Sequence, residues 1–398
     1  MYEVDPNEGK LLQFSEKKTP LPAASETQLK RFWRRISSGL RAYQMWTQFA
    51  ADARFSYRLF AREIDSTRKR GTGRLSHFLN MANQLFWAII DKLSPARRVM
   101  MLIAMVLLFS TPNLPVRAAN GMVRTITIDG PFWSALLLLG LLLLEVTDRV
   151  VMKRDLQIAK EIQSWLLPTT PPIVPGLEID FMTRPANTVA GDYYDIFAYP
   201  SSKSSGEQAF LLAIADVVGK SVPAAMLMAT FQASLKTLAR TSGSLNDLVG
   251  LMNSYACGNS QKGRRFTTAF IAEYDPLKRQ LIYVNAGHNP PILRRQSGAV
   301  ERLTAGGVPL GIMEPVSYES GVVTLECGDW LVIFTDGVTE AENHLGEEYG
   351  EDRLLVPLSA NASLGAPALL QAILDDLDEF VGQTQQHDDV TLMLLKVC

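Results

Sequence analysis

Aspartates stand at the ends of four apolar, strand-like segments after residue 190 of the 398-residue chain. They are Asp192, Asp216, Asp336 and the neighbouring pair Asp388 and Asp389. An ionised carboxylate beside an apolar strand is costly unless a positive charge meets it. Each aspartate alone is typical of a turn or a helix cap, but four such strand ends together favour a cation site. Ligands that are all oxygen select Mg²⁺ or Mn²⁺ rather than Zn²⁺.

Other reactive groups give weaker signals. The three cysteines, Cys257, Cys327 and Cys398, are widely spaced and odd in number, which predicts neither a disulfide framework nor a thiolate zinc site. His288, in the sequence NAGHNPP, is a candidate general acid, although a histidine in such a turn more often orders it through hydrogen bonds. No glycine-rich phosphate loop follows a strand, and a net charge of −2 excludes a uniformly basic nucleic-acid binder.

Residues 169–398, which must position these aspartates, alternate strand-like and helical segments. Strands that follow one another through short turns containing Gly or Pro favour antiparallel sheets with helices on their outer faces, an α+β fold. We predict strands at residues 177–184, 193–198, 210–217, 266–274, 280–285, 292–294, 322–325, 330–334 and 390–397. The predicted helices span residues 222–239, 245–256 and 367–381.

Charge divides the chain into unlike parts. Residues 1–98 carry 18 Lys and Arg against 9 Asp and Glu, whereas residues 148–398 carry 19 against 30. A basic front, an uncharged middle and an acidic end predict a membrane between two cytoplasmic parts. The expected domains are a basic, mostly helical cytoplasmic region (1–98), a transmembrane hairpin (99–146), a linker helix (147–168) and a catalytic domain (169–398).

The apolar middle is the basis for the hairpin. Residues 99–109 and 131–144 are apolar blocks, each shorter than the ~20 residues of a span unless their flanks are counted. Basic residues on their outer sides predict a two-pass protein of the inner or plasma membrane, with both termini cytoplasmic. Two buried core helices or one re-entrant hairpin are the alternatives. A basic, aromatic-rich segment from residue 28 suits contact with anionic membrane lipid, or else a small helical bundle.

The segment after the hairpin predicts a connecting helix. Residues 145–167 lack Gly and Pro and mix charged with apolar side chains, and Pro168 ends the run. The segment would form a rod between the hairpin and the catalytic domain. It holds only about three heptads, so a homodimer formed through this helix as a short coiled coil is a hypothesis.

Seven motifs in order carry a family resemblance: AGDYYD, IADVVGKSVPAAMLMA, FTTAFIAEYD, NAGHNPPIL, VPLGI, LVIFTDGVTEA and HDDVTLM. The region from about residue 158 to residue 398 resembles the metal-dependent PPM (type 2C-like) Ser/Thr protein phosphatases, most of all their bacterial SpoIIE/RsbU branch. The resemblance does not reach residues 1–145. It implies an α/β/β/α sandwich of two antiparallel sheets, with helices outside and a site for two Mg²⁺ or Mn²⁺ ions at one edge.

The resemblance also implies a role for each carboxylate. Asp216 would bridge the two ions. Asp336 and Asp388 would complete the protein ligands of one ion. Asp192 and the backbone carbonyl of Val217 would hold the other. Two such cations would activate a water to attack phosphorus directly, without a phosphoenzyme.

Some positions have a less direct counterpart in the family. Asp389 would lie behind the ligands and orient its neighbour. The sequence departs from the common pattern at Ala190 and Ser221, where Gly is common, and at Val218, where Ser is common. None of these changes removes a carboxylate. Related eukaryotic enzymes place an Arg on the phosphate; Arg184 is the nearest candidate, with an ordinary surface Arg as the alternative.

Together these features predict a membrane-anchored, metal-dependent protein serine/threonine phosphatase. The resemblance implies a phosphorylated anti-sigma-factor antagonist, in a bacterial partner-switching pathway, as its substrate and partner. A catalytically silent docking scaffold is the alternative, but such a protein is expected to have lost at least one metal carboxylate. A hydrolase of small phosphate esters is a third interpretation, which a comparison of substrates would distinguish.

Overall fold

The structure is a computed structural model that describes residues 87, 90, 93–111, 113–117, 123–127, 129–200, 208–260 and 265–398. The chain divides into two compact units, Met1–Leu143 and Leu144–Cys398. Nearly all of the predicted basic helical region, residues 1–98, lies outside the described residues.

The described residues of the first unit include two long helical segments and a small sheet. Its elements are α1 (Pro95–Leu108), β1 (Asn113–Arg117), β2 (Val123–Thr127) and the first part of α2 (Gly130–Leu166). β1 and β2 pair antiparallel, so the predicted connection between the two apolar blocks is a β hairpin. The buried hydroxyl of Ser134 in α2 donates a hydrogen bond of 2.7 Å to the carbonyl of Ala104 in α1.

In the part of the chain that the structure describes, no helix combines the length and the apolar character needed to cross a membrane. The predicted two-pass hairpin over residues 99–146 is therefore not supported. α1 has 14 residues, a length of about 21 Å against a hydrocarbon core of about 30 Å. α2 has 37 residues, but charged side chains follow its apolar block from Glu145 onward. The predicted linker helix, residues 147–168, corresponds to the C-terminal part of this continuous helix.

The second unit is built on two β sheets. Its strands are β3 (Leu177–Arg184), β4 (Tyr193–Pro200), β5 (Gln208–Val217), β6 (Thr267–Asp275), β7 (Gln280–Ala286), β8 (Ile292–Arg294), β9 (Val300–Arg302), β10 (Gly306–Gly307), β11 (Gly321–Thr324), β12 (Trp330–Phe334) and β13 (Val390–Val397). The first sheet has the order β10-β7-β6-β5-β4, with β11 also paired to β7, and the second has the order β3-β13-β12-β8-β9. The β10–β7 pair is parallel and the other described pairs of the unit's named strands are antiparallel.

Helices cover the outer face of each sheet. They are α3 (Ser221–Leu238), α4 (Leu245–Asn259), α5 (Asp336–Thr339), α6 (Gly350–Ala360) and α7 (Ala366–Val381). One apolar layer lies between the sheets and includes Phe270, Leu331 and Met393. A second joins α3 and α4 to the first sheet, and a third joins α6 and α7 to the second sheet. The predicted α+β fold with two sheets is confirmed, in the order α/β/β/α.

The central strands are apolar at nearly every position because both of their faces are covered. All five residues of β12 are buried, as expected where one face meets the other sheet and the opposite face meets helices. The polar residues of such a strand are confined to its ends. This confinement is what places the aspartates at the edges of the sheets.

Gly337 lies in α5, which begins two residues after the end of β12. It packs against the backbone of Asp389, the residue before β13. A Cβ at Gly337 would lie 2.1 Å from the carbonyl oxygen of Asp389. We expect Gly337→Ala to lower the free energy of unfolding by about 2 kcal/mol, because the turn has to move away from that carbonyl. Gly250→Ala in α4 is the control: nothing lies within 4 Å of its added Cβ, so it should raise the free energy of unfolding by about 0.5–1 kcal/mol. Urea unfolding measures both, and equal effects would contradict this packing.

Candidate active site

Antiparallel pairing in the first sheet makes Asp192 and Asp216 neighbours. Asp192 directly precedes β4, and Asp216 is the next-to-last residue of β5. The register pairs Tyr193 with Ala215. The start of β4 therefore lies beside the end of β5, and both carboxylates are found at the same end of this strand pair.

The second sheet repeats this arrangement. β12 ends at Phe334, which pairs with Leu392 of β13. Asp336 follows β12 by two residues, and Asp388 and Asp389 immediately precede β13. The predicted aspartates thus come from four strand ends, two in each sheet.

The four predicted ligand carboxylates lie close enough that their charges contribute to the raised pKa values of three of them, Asp192, Asp216 and Asp336. Burial, and then the charge of Asp216, raises the pKa of Asp192 well above its usual range. Burial, and then the charges of Asp336 and Asp388, raises the pKa of Asp216 to about 7, while a hydrogen bond with the Asp192 carboxyl group opposes the rise. Burial and then Asp388 raise the pKa of Asp336. The structure brings all four into one electrostatic cluster, which we call the carboxylate cluster.

Two threonines of the second sheet hold Asp192 of the first. The Thr335 hydroxyl lies 2.9 Å from Asp192 Oδ2, and the Thr391 hydroxyl lies 2.5 Å from the same oxygen. The backbone N–H of Thr391 donates to Thr335 Oγ1 at 3.1 Å, so the two threonines also fix each other. Sequence reasoning missed both residues, although Thr335 directly precedes Asp336 and Thr391 stands two positions after Asp389.

Asp389 accepts hydrogen bonds from the loop that carries Asp192. Its Oδ1 accepts from the backbone N–H of Ala186 at 2.7 Å, and its Oδ2 accepts from the N–H of Gly191 at 2.6 Å. Burial raises the pKa of Asp389, and these two bonds oppose the rise. The side chain therefore ties the start of β13 to the loop before β4, next to the predicted ligand Asp388.

The backbone carbonyl of Val217 lies beside the same loop. A Cβ added at Gly191 would lie 3.1 Å from the Val217 carbonyl oxygen and 3.2 Å from Ala224 Cβ. A larger residue at position 191 would press on both atoms. The glycine of the AGD motif thus permits the close approach of Val217 to the chain around Asp192.

The turn between β5 and α3 contributes the positively charged side chain of Lys220. Gly219 has φ +114° and Ser221 has φ +64°, values that glycine adopts without cost and serine does not. Between them, Lys220 Nζ lies 2.9 Å from Asp388 Oδ2 and donates to the His387 carbonyl at 2.5 Å. Sequence reasoning missed Lys220, but it singled out Ser221 as a residue where related sequences have Gly.

His288 and Arg184 are engaged in other contacts. The backbone N–H of His288 donates to Asn285 Oδ1 at 2.7 Å, and the ring Nδ1 lies 3.2 Å from the Thr268 hydroxyl. Burial lowers the pKa of His288 to about 4, so it is neutral near pH 7. These are the contacts of a residue that orders a turn. Arg184 binds Asp378 through both of its terminal nitrogens, at 2.5 and 3.1 Å.

The end of α2 is attached to the loop of Asp192. The buried Gln163 side chain donates to the Ala190 carbonyl at 2.7 Å and accepts from the Ala190 N–H at 3.0 Å. The Gln232 amide of α3 donates to the Leu166 carbonyl at the end of α2. Both backbone groups of Ala190, two residues before Asp192, are therefore held by one side chain that the sequence analysis did not single out.

The donor chemistry of the carboxylate cluster fits hard divalent cations. The oxygens belong to carboxylates whose pKa is raised by burial and then by the charge of neighbouring carboxylates, as for Asp192 and Asp216. Over the described ranges, however, no group of three or more His, Cys, Asp or Glu side chains is arranged to hold a metal ion. The metal roles of Asp192, Asp216, Val217, Asp336 and Asp388 remain predictions.

The fold and the cluster together define a class of protein, the PP2C-like phosphatases. The structure resembles the SiaA-PP2C domain of Pseudomonas aeruginosa with a TM-score of 0.54 and 21% sequence identity, over 63% of this chain and 99% of that domain. The family model for stage II sporulation protein E (SpoIIE) matches residues 206–398.

Similarity to whole proteins is more specific. The chain is 31% identical to phosphoserine phosphatase RsbU of Bacillus subtilis over 246 residues, which cover 62% of this chain and 70% of RsbU. It is 26% identical to phosphoserine phosphatase RsbP of the same organism over 192 residues, which cover 47% of this chain and 46% of RsbP. The chain belongs to the SpoIIE/RsbU family of PP2C-type phosphatases, and it is a protein serine/threonine phosphatase. The predicted resemblance is confirmed.

The contacts of Gln163 predict a loss of activity when they are removed. We expect Gln163→Ala to lower the rate of phosphate release from a phosphoserine peptide about tenfold, because the loop before Asp192 loses its support. Gln157→Ala, at an exposed position of the same helix, should leave the rate unchanged. A Gln163→Ala enzyme with the rate of the unmodified enzyme would show that these hydrogen bonds do not position the cluster.

The raised pKa of Asp216 predicts how stability depends on pH in EDTA-treated protein. A carboxyl group whose pKa rises to about 7 on folding binds its proton more tightly in the folded state, so stability falls as the pH rises from about 4 towards 7. Asp216→Asn removes this group. The variant should melt at a higher temperature than the unmodified protein at pH 8, with a smaller difference at pH 5. The same difference at both pH values would contradict this coupling.

Proposed function

We propose that this phosphatase removes phosphate from phosphoserine or phosphothreonine in a protein substrate by using two divalent cations, Mg²⁺ or Mn²⁺, at the carboxylate cluster. One observation carries the proposal: four strand ends bring Asp192, Asp216, Asp336 and Asp388 together, and burial and the neighbouring carboxylates raise the pKa of the first three. Cations between such groups would relieve this repulsion. Family membership supports the same chemistry.

The proposed ligand roles follow the family resemblance. Asp216 would bridge the two cations, and Asp336 and Asp388 would serve one of them. Asp192 and the Val217 carbonyl would serve the other. When bound, two such cations lower the pKa of a shared water and direct it at phosphorus.

Neighbouring residues would keep these ligands in place during the reaction. Thr335 and Thr391 fix one oxygen of Asp192. Asp389 holds the loop before Asp192 through two backbone N–H groups. A phosphoserine carries a charge of about −1.5 to −2, which the aspartates alone would repel, so the proposed cations also determine whether the substrate can approach.

The substrate that we propose is a phosphorylated anti-sigma-factor antagonist, a small protein of a bacterial partner-switching pathway. Support comes from the relatives RsbU and RsbP, both named phosphoserine phosphatases. The chain spans less than half of RsbP and 70% of RsbU, so a partner recognised by their other parts does not transfer. A homodimer formed through α2 remains a prediction.

The four aspartates distinguish this proposal from a silent docking scaffold. We expect Asp336→Asn to lower phosphate release from a phosphoserine peptide by about two orders of magnitude. EDTA should abolish the release, and added Mn²⁺ or Mg²⁺ should restore it. Asp352→Asn, at an exposed position of α6, is the control and should be fully active.

The measurement is malachite-green detection of the phosphate that the full 398-residue chain releases from the peptide. Full activity of Asp336→Asn, or activity that EDTA leaves intact, would refute the metal mechanism. The same assay with p-nitrophenyl phosphate tests the hydrolase of small esters. A much higher turnover of that ester than of the phosphoprotein would favour the small-ester enzyme.

A further inference from the structure

A cavity of about 200 Å³ opens beside Asp388. Two cationic side chains, Arg184 and Lys220, belong to its lining, together with the carboxylates of Glu340, Glu342, Glu348, Asp378 and Asp388. The cavity adjoins the carboxylate cluster, so a phosphoprotein whose phosphate reached the cluster would meet these charges. Their existing contacts decide which of them can respond.

Arg184 already forms an ion pair with Asp378. Both terminal nitrogens of its guanidinium contact the two oxygens of Asp378, at 2.5 and 3.1 Å. This two-point geometry is the strong form of a charged hydrogen bond, because the planar guanidinium matches the carboxylate. A phosphate could recruit Arg184 only by breaking both bonds.

The ion pair of Lys220 is a single-point contact: Nζ lies 2.9 Å from Asp388 Oδ2, and both side chains are about half exposed to solvent. Nζ also donates to the backbone carbonyl of His387 at 2.5 Å. Ion pairs at such exposed positions contribute little, because water screens them. The flexible four-carbon stem allows the ammonium group to turn from one partner to another. The turn that carries Lys220 is fixed by the left-handed Gly219 and Ser221, so only the side chain has to move.

The partner of Lys220 is also the proposed ligand of a cation. A metal ion at Asp388 and the ammonium of Lys220 would compete for the same carboxylate, because like charges repel at short distance. The side chain released from Asp388 lies in the lining of a cavity that an anionic phosphate would approach. There it would meet a negative charge of about −1.5 to −2.

We propose that Lys220 is an exchangeable counter-ion: it pairs with Asp388 before the cations bind and contacts the substrate phosphate afterwards. This inference rests on the proposed two-cation function. It assigns Lys220, and not Arg184, as the protein cation that meets the phosphate. It also makes a prediction that a purely structural lysine would not satisfy, because the two roles respond to its removal with opposite signs.

The test is Lys220→Met in the full-length chain, which keeps the length of the side chain and removes its charge. Isothermal titration of EDTA-treated protein with Mn²⁺ should show binding about threefold tighter, because a competing cation is gone. Titration of the Mn²⁺-loaded protein with inorganic phosphate should show binding about tenfold weaker, because a charged hydrogen bond is lost. The KM for a phosphoserine peptide should rise by a similar factor, with a smaller change in kcat.

Two variants serve as controls. Lys220→Arg keeps the charge and should restore most of the phosphate binding. Lys278→Met removes another exposed lysine that pairs with an aspartate, at 2.6 Å from Asp275 in the β6–β7 turn, and should change neither titration. Circular dichroism melts confirm that each variant is folded.

Each alternative result overturns the proposal. Weaker Mn²⁺ binding by Lys220→Met would show that the lysine positions Asp388 as a ligand. Unchanged phosphate binding would show that the phosphate does not contact Lys220. Failure of the proposed function is distinguishable, since the unmodified enzyme would then bind no Mn²⁺ or release no phosphate with it, whatever Lys220 does.

Discussion

The structure depends on holding like charges together where two sheets meet. Asp192 and Asp216 come from the first sheet, whereas Asp336 and Asp388 come from the second. Burial and then the charges of neighbouring carboxylates raise the pKa values of Asp192, Asp216 and Asp336. Hydrogen bonds that cross between the sheets oppose the repulsion, chiefly those from Thr335 and Thr391 to Asp192. The apolar layer between the sheets provides the rest of the stabilisation, since it keeps the two edges in register.

Much of the fold could be predicted because the central strands are apolar throughout. The bounds of β3, β8, β12 and β13 agree with prediction, and most other predicted elements differ by one to three residues at an end. The helix α6 was missed because Pro357 lies inside it, and proline normally marks the end of a helix. The strands β9 and β10 were missed because two or three residues are too few to show a period.

The predicted membrane hairpin is not supported, for a related reason. Apolar blocks of 11 and 14 residues do not distinguish a span from a packed helix, because composition carries no information on what covers the block. The site residues show the same limit. Aspartates at strand ends are visible in the sequence, but Thr335 meets Asp192 across 143 positions. Only the pairing of distant strands makes them neighbours.

Two side chains, Gln163 and Asp389, form hydrogen bonds with the backbone of the same loop. Gln163 of α2 holds both backbone groups of Ala190, and Asp389 before β13 holds the N–H of Gly191. Asp192 follows at once and carries the cluster's most strongly buried carboxyl group. A displacement of the end of α2 would therefore reach this carboxyl group through two residues of backbone, and Thr335 and Thr391 would have to yield. The helix that leads into the phosphatase domain is thus hydrogen-bonded to the loop that carries Asp192.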